Sequence, residues 1–247
     1  MKLLSLNIWG GKLYDELSRF LEPRARDVDV FCFQEVFDEK GNGAFHAWEG
    51  ARPDIYDVLC GMLKGFEAYL SEPYSSSGER LAIFVRKGVE LTGSGEFELC
   101  ARRDLEYEGE TLGVGSRLQW IEIFDKGKAI TMANVHGLWQ PKSKGDIEDT
   151  MLQSKRILEF LDPRHGGKIL CGDFNLDIGT KSVAVLEGSF RNLIREYGVQ
   201  NTRNKFAHPQ AGNFADYIFI SKELKDTAFR VPSDIVSDHQ AMLLEFD

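Results

Sequence analysis

The chain consists of short apolar runs separated by polar, glycine-containing segments, a pattern typical of many strands with few helices between them. Residues 28–36 form a nearly continuous apolar run, which predicts a buried strand. Residues 118–124 alternate between apolar and polar side chains, and Lys126-Gly127 predicts a turn into a further strand over residues 129–136. The other predicted strands cover residues 3–9, 66–70, 81–85, 89–99, 169–172, 217–220, 228–231 and 241–246.

Apolar residues at helical spacing predict the helices. The clearest helix spans residues 146–161, and Asp162-Pro163 ends it because proline cannot continue a helix. Its predicted apolar side consists of Ile147, Met151, Leu158 and Leu161. The other predicted helices cover residues 13–26, 54–63, 182–187 and 190–196.

This order of elements predicts an α/β fold with two mixed sheets packed face to face. The helices would cover the outer faces, which gives a four-layered α/β/β/α sandwich whose strand ends meet at one rim. Because the sequence has no internal repeat, low-complexity tract or long linker, we expect residues 1–247 to form a single domain.

Composition narrows the class of protein. Hydrophobic residues make up 43% of the 247 positions, enough for a sizeable core and too many for a largely disordered chain. The formal net charge of −9 argues against tight, sequence-independent binding of duplex DNA through a broad basic face. The charge is compatible with a nuclease, since carboxylates at a metal site add negative charge that the cation partly neutralises.

The cysteines indicate a reducing compartment. Cys32, Cys60, Cys100 and Cys171 form no C-x-x-C pair, so a structural zinc site is not expected. We expect four reduced thiols in or near the core of a cytoplasmic protein. The first apolar run is too short for a signal peptide and no apolar stretch reaches membrane-spanning length, so stable membrane insertion is not expected.

Polar side chains stand at the ends of several predicted strands, in the order Asn7, Glu35, Asp173, Asn175 and Asp238-His239. Carboxylate and amide oxygens are the ligands that a hard divalent cation takes. Asp173 and Asn175, two residues apart on backbone predicted to be extended, should point the same way. Each motif alone also has an ordinary explanation: a solvated glutamate, a hydrogen-bonded buried asparagine or an Asx turn. Together the motifs predict a metal-dependent phosphodiesterase.

The combined motifs resemble the endonuclease/exonuclease/phosphatase superfamily. Gln34-Glu35-Val36, Gly172-Asp173-Phe174-Asn175, Asp216-Tyr217 and Ser237-Asp238-His239 occur in the family's order, and the similarity runs from Leu3 to the C-terminus. Its members include apurinic endonucleases, deoxyribonucleases, neutral sphingomyelinases, inositol-polyphosphate 5-phosphatases and tyrosyl-DNA phosphodiesterases. The resemblance implies the four-layered sandwich, with the site in the cleft between the sheets.

The resemblance also implies roles for the matching residues. Glu35 would be the principal ligand of Mg²⁺ or Mn²⁺, helped by Asn7 and Asp238. Asn7 would serve in the shell around the metal or the phosphate. Asp173 would activate water for in-line attack, while Asn175 would position the water or hold a phosphate oxygen.

Two histidines complete the implied site. Asp216 would accept a hydrogen bond from His239 and fix its tautomer and orientation, with His239 facing the phosphate. His136 would bind the phosphate or protonate the leaving group. Glu79 matches the carboxylate that pairs with this histidine in deoxyribonuclease-like members. A Glu79 that simply lies in a surface loop is the alternative.

The substrate must be selected by loops. Residues 38–53, 139–145 and 199–214 adjoin the motifs and contain cations and aromatic rings, the mixture that recognises bases and phosphates. The side chains concerned are Phe45, His46, Trp48, Lys142, Lys144, Arg203, Lys205, Phe206, His208 and Phe214. Phe206 or Phe214 is a candidate for stacking on an extruded base.

We therefore predict a monomeric enzyme whose partner is a phosphodiester substrate, in the first place nucleic acid in a nuclease or DNA-repair reaction. Hydrolysis of a phospholipid or of a sugar or inositol phosphate is the alternative. A non-catalytic binding protein of the same fold is a further alternative, which the presence of every expected residue type disfavours.

Overall fold

Strands dominate the computed structural model of the chain, which describes residues 1–39, 49–141, 143–204, 206 and 213–247. The strands, numbered in chain order, are β1 (Lys2–Asn7), β2 (Val30–Val36), β3 (Phe66–Leu70), β4 (Arg80–Arg86), β5 (Glu90–Tyr107), β6 (Glu110–Asp125), β7 (Lys128–His136), β8 (Gly167–Asp173), β9 (Arg191–Asn192), β10 (Asp216–Ile220), β11 (Asp226–Arg230) and β12 (Met242–Phe246). The helices are α1 (Tyr14–Arg24), α2 (Ile55–Met62), α3 (Glu148–Leu161), α4 (Lys181–Glu187) and α5 (Leu193–Glu196), with a 3₁₀ turn at Trp9–Gly11.

The strands form two mixed sheets of six. The first sheet has the order β11-β12-β1-β2-β4-β3, and the second has the order β5-β6-β7-β8-β10-β9. Each sheet contains a parallel pair near its centre, β1 with β2 in the first and β7 with β8 in the second. The carboxyl ends of these four strands carry the polar residues predicted to form the site, as expected for a site in an α/β fold.

The two sheets pack face to face, and helices cover both outer faces. Side chains of both sheets share the largest core cluster, which includes Cys32 of β2 and Cys171 of β8. Phe20 of α1 and Leu59 of α2 pack with aromatic side chains of the first sheet. Ile157 of α3 packs with side chains of the second sheet. The predicted four-layered α/β/β/α sandwich is confirmed.

Several predicted element boundaries differ from the structure. The first strand ends at Asn7, because the following Trp9–Gly11 turn takes positive φ values that no strand allows. Residues 190–196, predicted as one helix, begin as β9 because Arg191 and Asn192 pair with β10. The β5–β6 hairpin extends well beyond the predicted strands, because polar residues continue the pairing outside the core.

The buried side of α3 is more polar than predicted. It consists of Thr150, Gln153, Ser154, Ile157 and Leu161. Of the predicted apolar side, Leu161 is buried, whereas Met151 and Leu158 are half-buried. Buried polar groups need partners, and Oε1 of Gln153 accepts the backbone N–H of Leu138 at 2.9 Å. Helix α3 therefore supports the segment that follows β7.

The cysteines lie where the sequence predicts them. Cys32, Cys100 and Cys171 are buried, Cys60 is half-buried, and all four are free thiols. In the described ranges, no helix combines the length and the apolar character needed to cross a membrane.

Candidate active site

Asp173 stands at the centre of a polar row that crosses the second sheet. It is the last residue of β8, and the strand register places it opposite His136 of β7 and Asp216 of β10. Directly paired residues project from the same face of a sheet, about 5 Å apart. All three side chains are buried, so their charges interact strongly.

The first sheet contributes Asn7, Glu35 and Asp238-His239. Asn7 ends β1, and Asp238-His239 lies just before β12. Glu35 occupies a bulge in β2, where the pairing with β4 shifts register and the Glu35 φ angle is 56°. A bulge redirects a side chain, and a strained left-handed residue is common at functional sites. Here the bulge brings Glu35 to His136 of the other sheet.

Two glycines allow the ends of β7 and β8 to approach each other. A Cβ on Gly172, whose φ is +129°, would lie 2.1 Å from the carbonyl oxygen of Val135. A Cβ on Gly137 would lie 2.1 Å from the carbonyl oxygen of Phe174. Both distances are far inside van der Waals contact, so only glycine fits at either position.

Asp173 is held on both carboxylate oxygens. Oδ1 accepts the backbone N–H of Asn175 at 2.8 Å, and Oδ2 accepts Nδ2 of Asn7 at 3.1 Å. Burial opposes ionisation, but the positive charges of His239, Lys144 and other cations outweigh it and hold the pKa of Asp173 well below its usual range. Asp173 is therefore a carboxylate at neutral pH.

His239 faces carboxylates on both sides of its ring. Nδ1 lies 2.8 Å from Oδ2 of Asp216, and Nε2 lies 3.7 Å from Oδ2 of Asp173 and from Oδ2 of Asp238. Burial lowers the pKa of His239, but the three carboxylates outweigh burial and raise it to about 9. The ring is then protonated at neutral pH, with Nδ1–H donated to Asp216 and Nε2–H directed towards the other two carboxylates.

His136 lies between Glu35 and Asp173. Its Nε2 is 3.4 Å from Oε1 of Glu35 and 3.8 Å from Oδ2 of Asp173. The imidazole stacks on Tyr74, with ring centroids 4.5 Å apart and an interplanar angle of 18°. The hydroxyl of Tyr74 accepts the backbone N–H of Glu35 at 3.2 Å. Tyr74 was not predicted, since nothing in its polar sequence neighbourhood distinguishes it.

Glu35, His136 and Asp173 form a compact polar group, with one ligand atom from each within 4.8 Å of the others. The two carboxylates of this group suit a divalent cation, and His136 lies beside them. Oε2 of Glu35 is buried, and no described residue offers it a hydrogen bond. A buried carboxylate oxygen without a partner is costly, and a cation with oxygen ligands would remove that cost.

The other two predicted metal ligands occupy different surroundings. Oδ1 of Asn7 accepts the backbone N–H of Trp9 at 3.0 Å and keeps a second lone pair for a ligand. Asp238 lies 3.7 Å from His239 but belongs to no group of three or more carboxylates and imidazoles within 4.8 Å of one another in the described ranges. Its Oδ2 lies 3.4 Å from Nη2 of Arg203, so Asp238 is partly neutralised by the chain itself.

Glu79 lies in the cleft and not in an exposed loop, with 7% of its surface accessible. No hydrogen bond joins it to His136, because Oε2 of Glu79 and Nδ1 of His136 are both buried without a partner among the described residues. Burial, assisted by the charge of Glu35, raises the pKa of Glu79 to about 7. The predicted pair therefore shares the cleft without a hydrogen bond between the two side chains.

The chain turns at Asn175, whose φ is 56°, so the predicted extended backbone after Asp173 is wrong. The bond from the Asn175 N–H to Asp173 forms an Asx turn, the ordinary alternative. The Asn175 amide nevertheless faces the cleft. Its Nδ2 donates to the carbonyl oxygen of Gly137 at 3.0 Å, and its Oδ1 accepts Nζ of Lys144.

The polar row opens into a cleft of about 810 Å³. Trp9 and Lys12 stand at its edge, with Nζ of Lys12 4.5 Å from the Trp9 ring centroid. Phe206 is 45% exposed, and its ring centroid lies 6.3 Å from that of Trp9. Phe214 is half-buried and packs against the main core cluster. Of the two predicted stacking residues, only Phe206 stands near the edge of the cleft.

Of the described residues in the predicted substrate loops, Trp139, Lys144 and Arg203 line the cleft. Phe45, His46, Trp48, Lys142, Lys205 and His208 lie outside the described residues. Trp9 was not predicted as a site residue, and its only sequence signal is its position two residues after Asn7.

Comparison with known proteins agrees with this fold. The sequence matches a family model described as "Endonuclease/Exonuclease/phosphatase family" over residues 4–239. No curated protein matches the sequence.

Three solved structures illustrate the similarity of fold. An endonuclease/exonuclease/phosphatase family protein from Leptotrichia buccalis is 22% identical, with a TM-score of 0.73 over 100% of this chain and 99% of the other. A mannosyl-6-phosphatase from Bacteroides thetaiotaomicron is 17% identical, with a TM-score of 0.71 over 100% and 99%. A humanized D. rerio TDP2 is 15% identical, with a TM-score of 0.72 over 100% and 98%.

Proposed function

The chain belongs to the endonuclease/exonuclease/phosphatase family, and from this membership we propose that it is a divalent-metal-dependent phosphodiesterase acting on nucleic acid. The observation that carries the proposal is that two groups of polar side chains share the buried Asp173, one with Glu35 and His136 and the other with Asp216 and His239. The two carboxylates of the first group suit a cation, and the second group keeps a charged imidazole beside Asp173. This combination suits phosphoester hydrolysis, because the phosphoryl oxygens carry the charge of the transition state.

Glu35 and Asn7, with Asp173 and Asp238 nearby, would hold Mg²⁺ or Mn²⁺, since both ions accept oxygen ligands. When bound, the cation would polarise a phosphoryl oxygen as a Lewis acid and offset part of the negative charge of the site. The free oxygen of Glu35 is the strongest support for this position.

Asp173 holds the attacking water in this proposal. As a carboxylate it accepts a hydrogen bond from water and directs a lone pair of that water towards phosphorus. The low pKa of Asp173 makes it a weak base, so orientation of the water contributes more than removal of its proton. Asn175, fixed by Lys144 and Gly137, lies beside this position and contacts either the water or the phosphate.

The two histidines serve the phosphate and the leaving oxygen. His239, charged and oriented by Asp216, donates Nε2–H to a phosphoryl oxygen. Burial opposes protonation of His136, but Glu35 and Asp173 outweigh it and raise the pKa of His136. His136 is therefore suited to donate a proton to the leaving oxygen.

Nucleic acid is the first substrate class because cations and aromatic rings stand together at the edge of the cleft. Trp9, Lys12 and Phe206 offer a ring surface beside a positive charge, and bases stack on such surfaces regardless of sequence. Phe206→Ala should raise KM for an oligonucleotide and leave KM for bis(p-nitrophenyl) phosphate unchanged.

A sugar phosphate is the second candidate. The wall of the cleft at residues 75–77 consists of three serines, and hydroxyl groups suit a sugar better than a base. The mannosyl-6-phosphatase of B. thetaiotaomicron has the same fold.

The proposal is tested by turnover on a matched substrate panel with Mg²⁺. The panel contains single- and double-stranded DNA, duplex DNA with an abasic site, a 5′-tyrosyl oligonucleotide, RNA, mannose 6-phosphate, an inositol polyphosphate and sphingomyelin. Cleavage of a nucleic acid that is lost with EDTA and in Asp173→Asn supports the proposal. Turnover confined to mannose 6-phosphate favours the second candidate, and no turnover on any substrate contradicts both.

A further inference from the structure

Lys144 is a buried lysine whose ammonium group has a neutral partner. Only 7% of its surface is accessible, and it lines the cleft beside Asp173 and Asn175. Its Nζ donates to Oδ1 of Asn175. Among the residues that the structure describes, no carboxylate oxygen lies within 4.0 Å of that nitrogen. Lysine is rarely buried without a charged partner, so this ammonium group is suited to an anion that enters the cleft.

Arg203 differs from Lys144 in having a carboxylate nearby. It also lines the cleft, and its side chain is 9% exposed. Its Nη2, however, lies 3.4 Å from Oδ2 of Asp238, so a carboxylate of the chain already balances part of its charge. Among the described residues, no carboxylate lies within ion-pair distance of Lys144, whose charge acts on Asp173 only over a longer distance.

The backbone around Lys144 is fixed before any ligand binds. The carbonyl oxygen of Lys144 accepts the backbone N–H of Asp177 at 2.7 Å, which joins the segment after β7 to the segment after β8. On the other side, Nδ2 of Asn175 donates to Gly137. An ammonium group has three N–H donors, and Asn175 takes one of them. No other described residue accepts a hydrogen bond from it, so two donors remain for oxygens in the cleft.

We infer that Lys144 binds a non-bridging phosphoryl oxygen of the substrate and, through its bond to Asn175, fixes the orientation of that amide. The inference rests on the proposed phosphoester chemistry. Lys144 would then place a positive charge beside the phosphate whether or not the divalent cation is bound. The amide oxygen of Asn175 is turned towards Lys144, so the remaining amide N–H is the group that Asn175 can offer to the cleft.

The binding part is tested with inorganic phosphate and EDTA-treated protein, by ³¹P NMR titration. Lys144→Gln keeps a donor for Asn175 and loses the charge, Lys144→Arg keeps the charge, and Lys155→Gln alters an exposed lysine of α3. We expect Lys144→Gln to weaken phosphate binding about 10- to 100-fold, the usual effect of removing a charged hydrogen bond. Lys155→Gln should stay within about threefold of the wild type, and Lys144→Arg should bind phosphate more tightly than Lys144→Gln because it keeps the positive charge. Equal affinity in the wild type and Lys144→Gln, or no binding by the wild type, overturns the inference.

The positioning part is tested by steady-state kinetics of Lys144→Gln and Lys144→Met with Mg²⁺. Both lose the charge, but only Gln can still donate to Asn175. A lower kcat for Lys144→Met than for Lys144→Gln, at similar KM, supports the role of Lys144 in orienting the Asn175 amide. Equal kcat values for the two variants contradict that role. Phosphate binding that depends on Lys144, found together with no turnover on any substrate, would leave the inference standing while the proposed function fails. Thermal unfolding of each variant separates these effects from misfolding.

Discussion

Asp173→Asn removes the charge that both halves of the site share and changes almost no volume. Oδ1 of Asp173 must still accept the N–H of Asn175, so the new amide oxygen takes that place. In the wild type, Oδ2 of Asp173 accepts a hydrogen bond from Nδ2 of Asn7 at 3.1 Å. In the variant, the new NH₂ group takes the place of that oxygen and faces Nδ2 of Asn7. Two donors oppose each other, and Nε2–H of His239 loses the same acceptor group.

The cost in stability is limited by a compensating effect. Losing one hydrogen bond and leaving a buried donor unpaired costs about 1–3 kcal/mol. The pKa values of Asp216 and Asp238 are both raised, mainly by burial and in part by the charge of Asp173. Removing that charge relieves their repulsion, which offsets part of the attraction to His239 and Lys144 that is lost with it, so we expect a net loss of about 3 kcal/mol.

The cost in rate is larger. The attacking water loses its anionic acceptor, and the loss of one such group lowers kcat by about 10²–10⁴, or about 3–5 kcal/mol of barrier. The assay is hydrolysis of bis(p-nitrophenyl) phosphate with Mg²⁺, run beside thermal unfolding. Asp162→Asn, an exposed aspartate at the end of α3, is the control and should behave as the wild type. A folded Asp173→Asn protein with kcat within tenfold of the wild type would refute this account of the site.

Three further predictions follow from the same geometry. Glu35→Gln should weaken Mn²⁺ binding, measured by calorimetry, at least about tenfold because it removes a charged oxygen ligand; unchanged affinity would place the ion elsewhere. Asp216→Asn should lower kcat about 10²-fold or more with little change in KM, because His239 loses the carboxylate that orients it; a change confined to KM would contradict this. Gly172→Ala should destabilise the fold by about 3 kcal/mol or more, since its Cβ would lie 2.1 Å from a carbonyl oxygen. Gly179→Ala, where no atom lies within 4 Å of the added Cβ, is the control.

Much of the architecture could be predicted from the sequence because burial leaves a periodic signal. Apolar runs such as residues 28–36 and 129–136 correspond to central strands of the two sheets. The ends of these runs carry Glu35 and His136, so the strand prediction also indicated where the candidate site lies. Asp216 and His239 were paired by resemblance, and the structure places them in hydrogen-bond contact.

What could not be predicted depends on contacts between distant residues or on single backbone angles. The bulge at Glu35 and the left-handed turn at Asn175 leave no periodic signal. Tyr74 contacts the site through a ring stack and one hydroxyl, and its sequence neighbours are ordinary polar residues. The polar side of α3 was missed because Gln153 is buried to hold Leu138, a contact that apolar spacing cannot reveal.

The division of the site between the two sheets has a mechanical consequence. Asn7 and Glu35 belong to one layer, and His136 and Asp173 to the other. A ligand that contacts residues of both layers acts as a non-covalent cross-link across the sandwich. Because such a ligand binds the folded state and not the unfolded state, it raises the free energy of unfolding of the whole chain. The reverse also holds, because a slight sliding of one sheet over the other would separate the functional groups while each sheet kept its hydrogen bonds. Activity therefore depends more strongly on the relative position of the two sheets than the secondary structure does. On warming, activity should decline before the secondary structure melts.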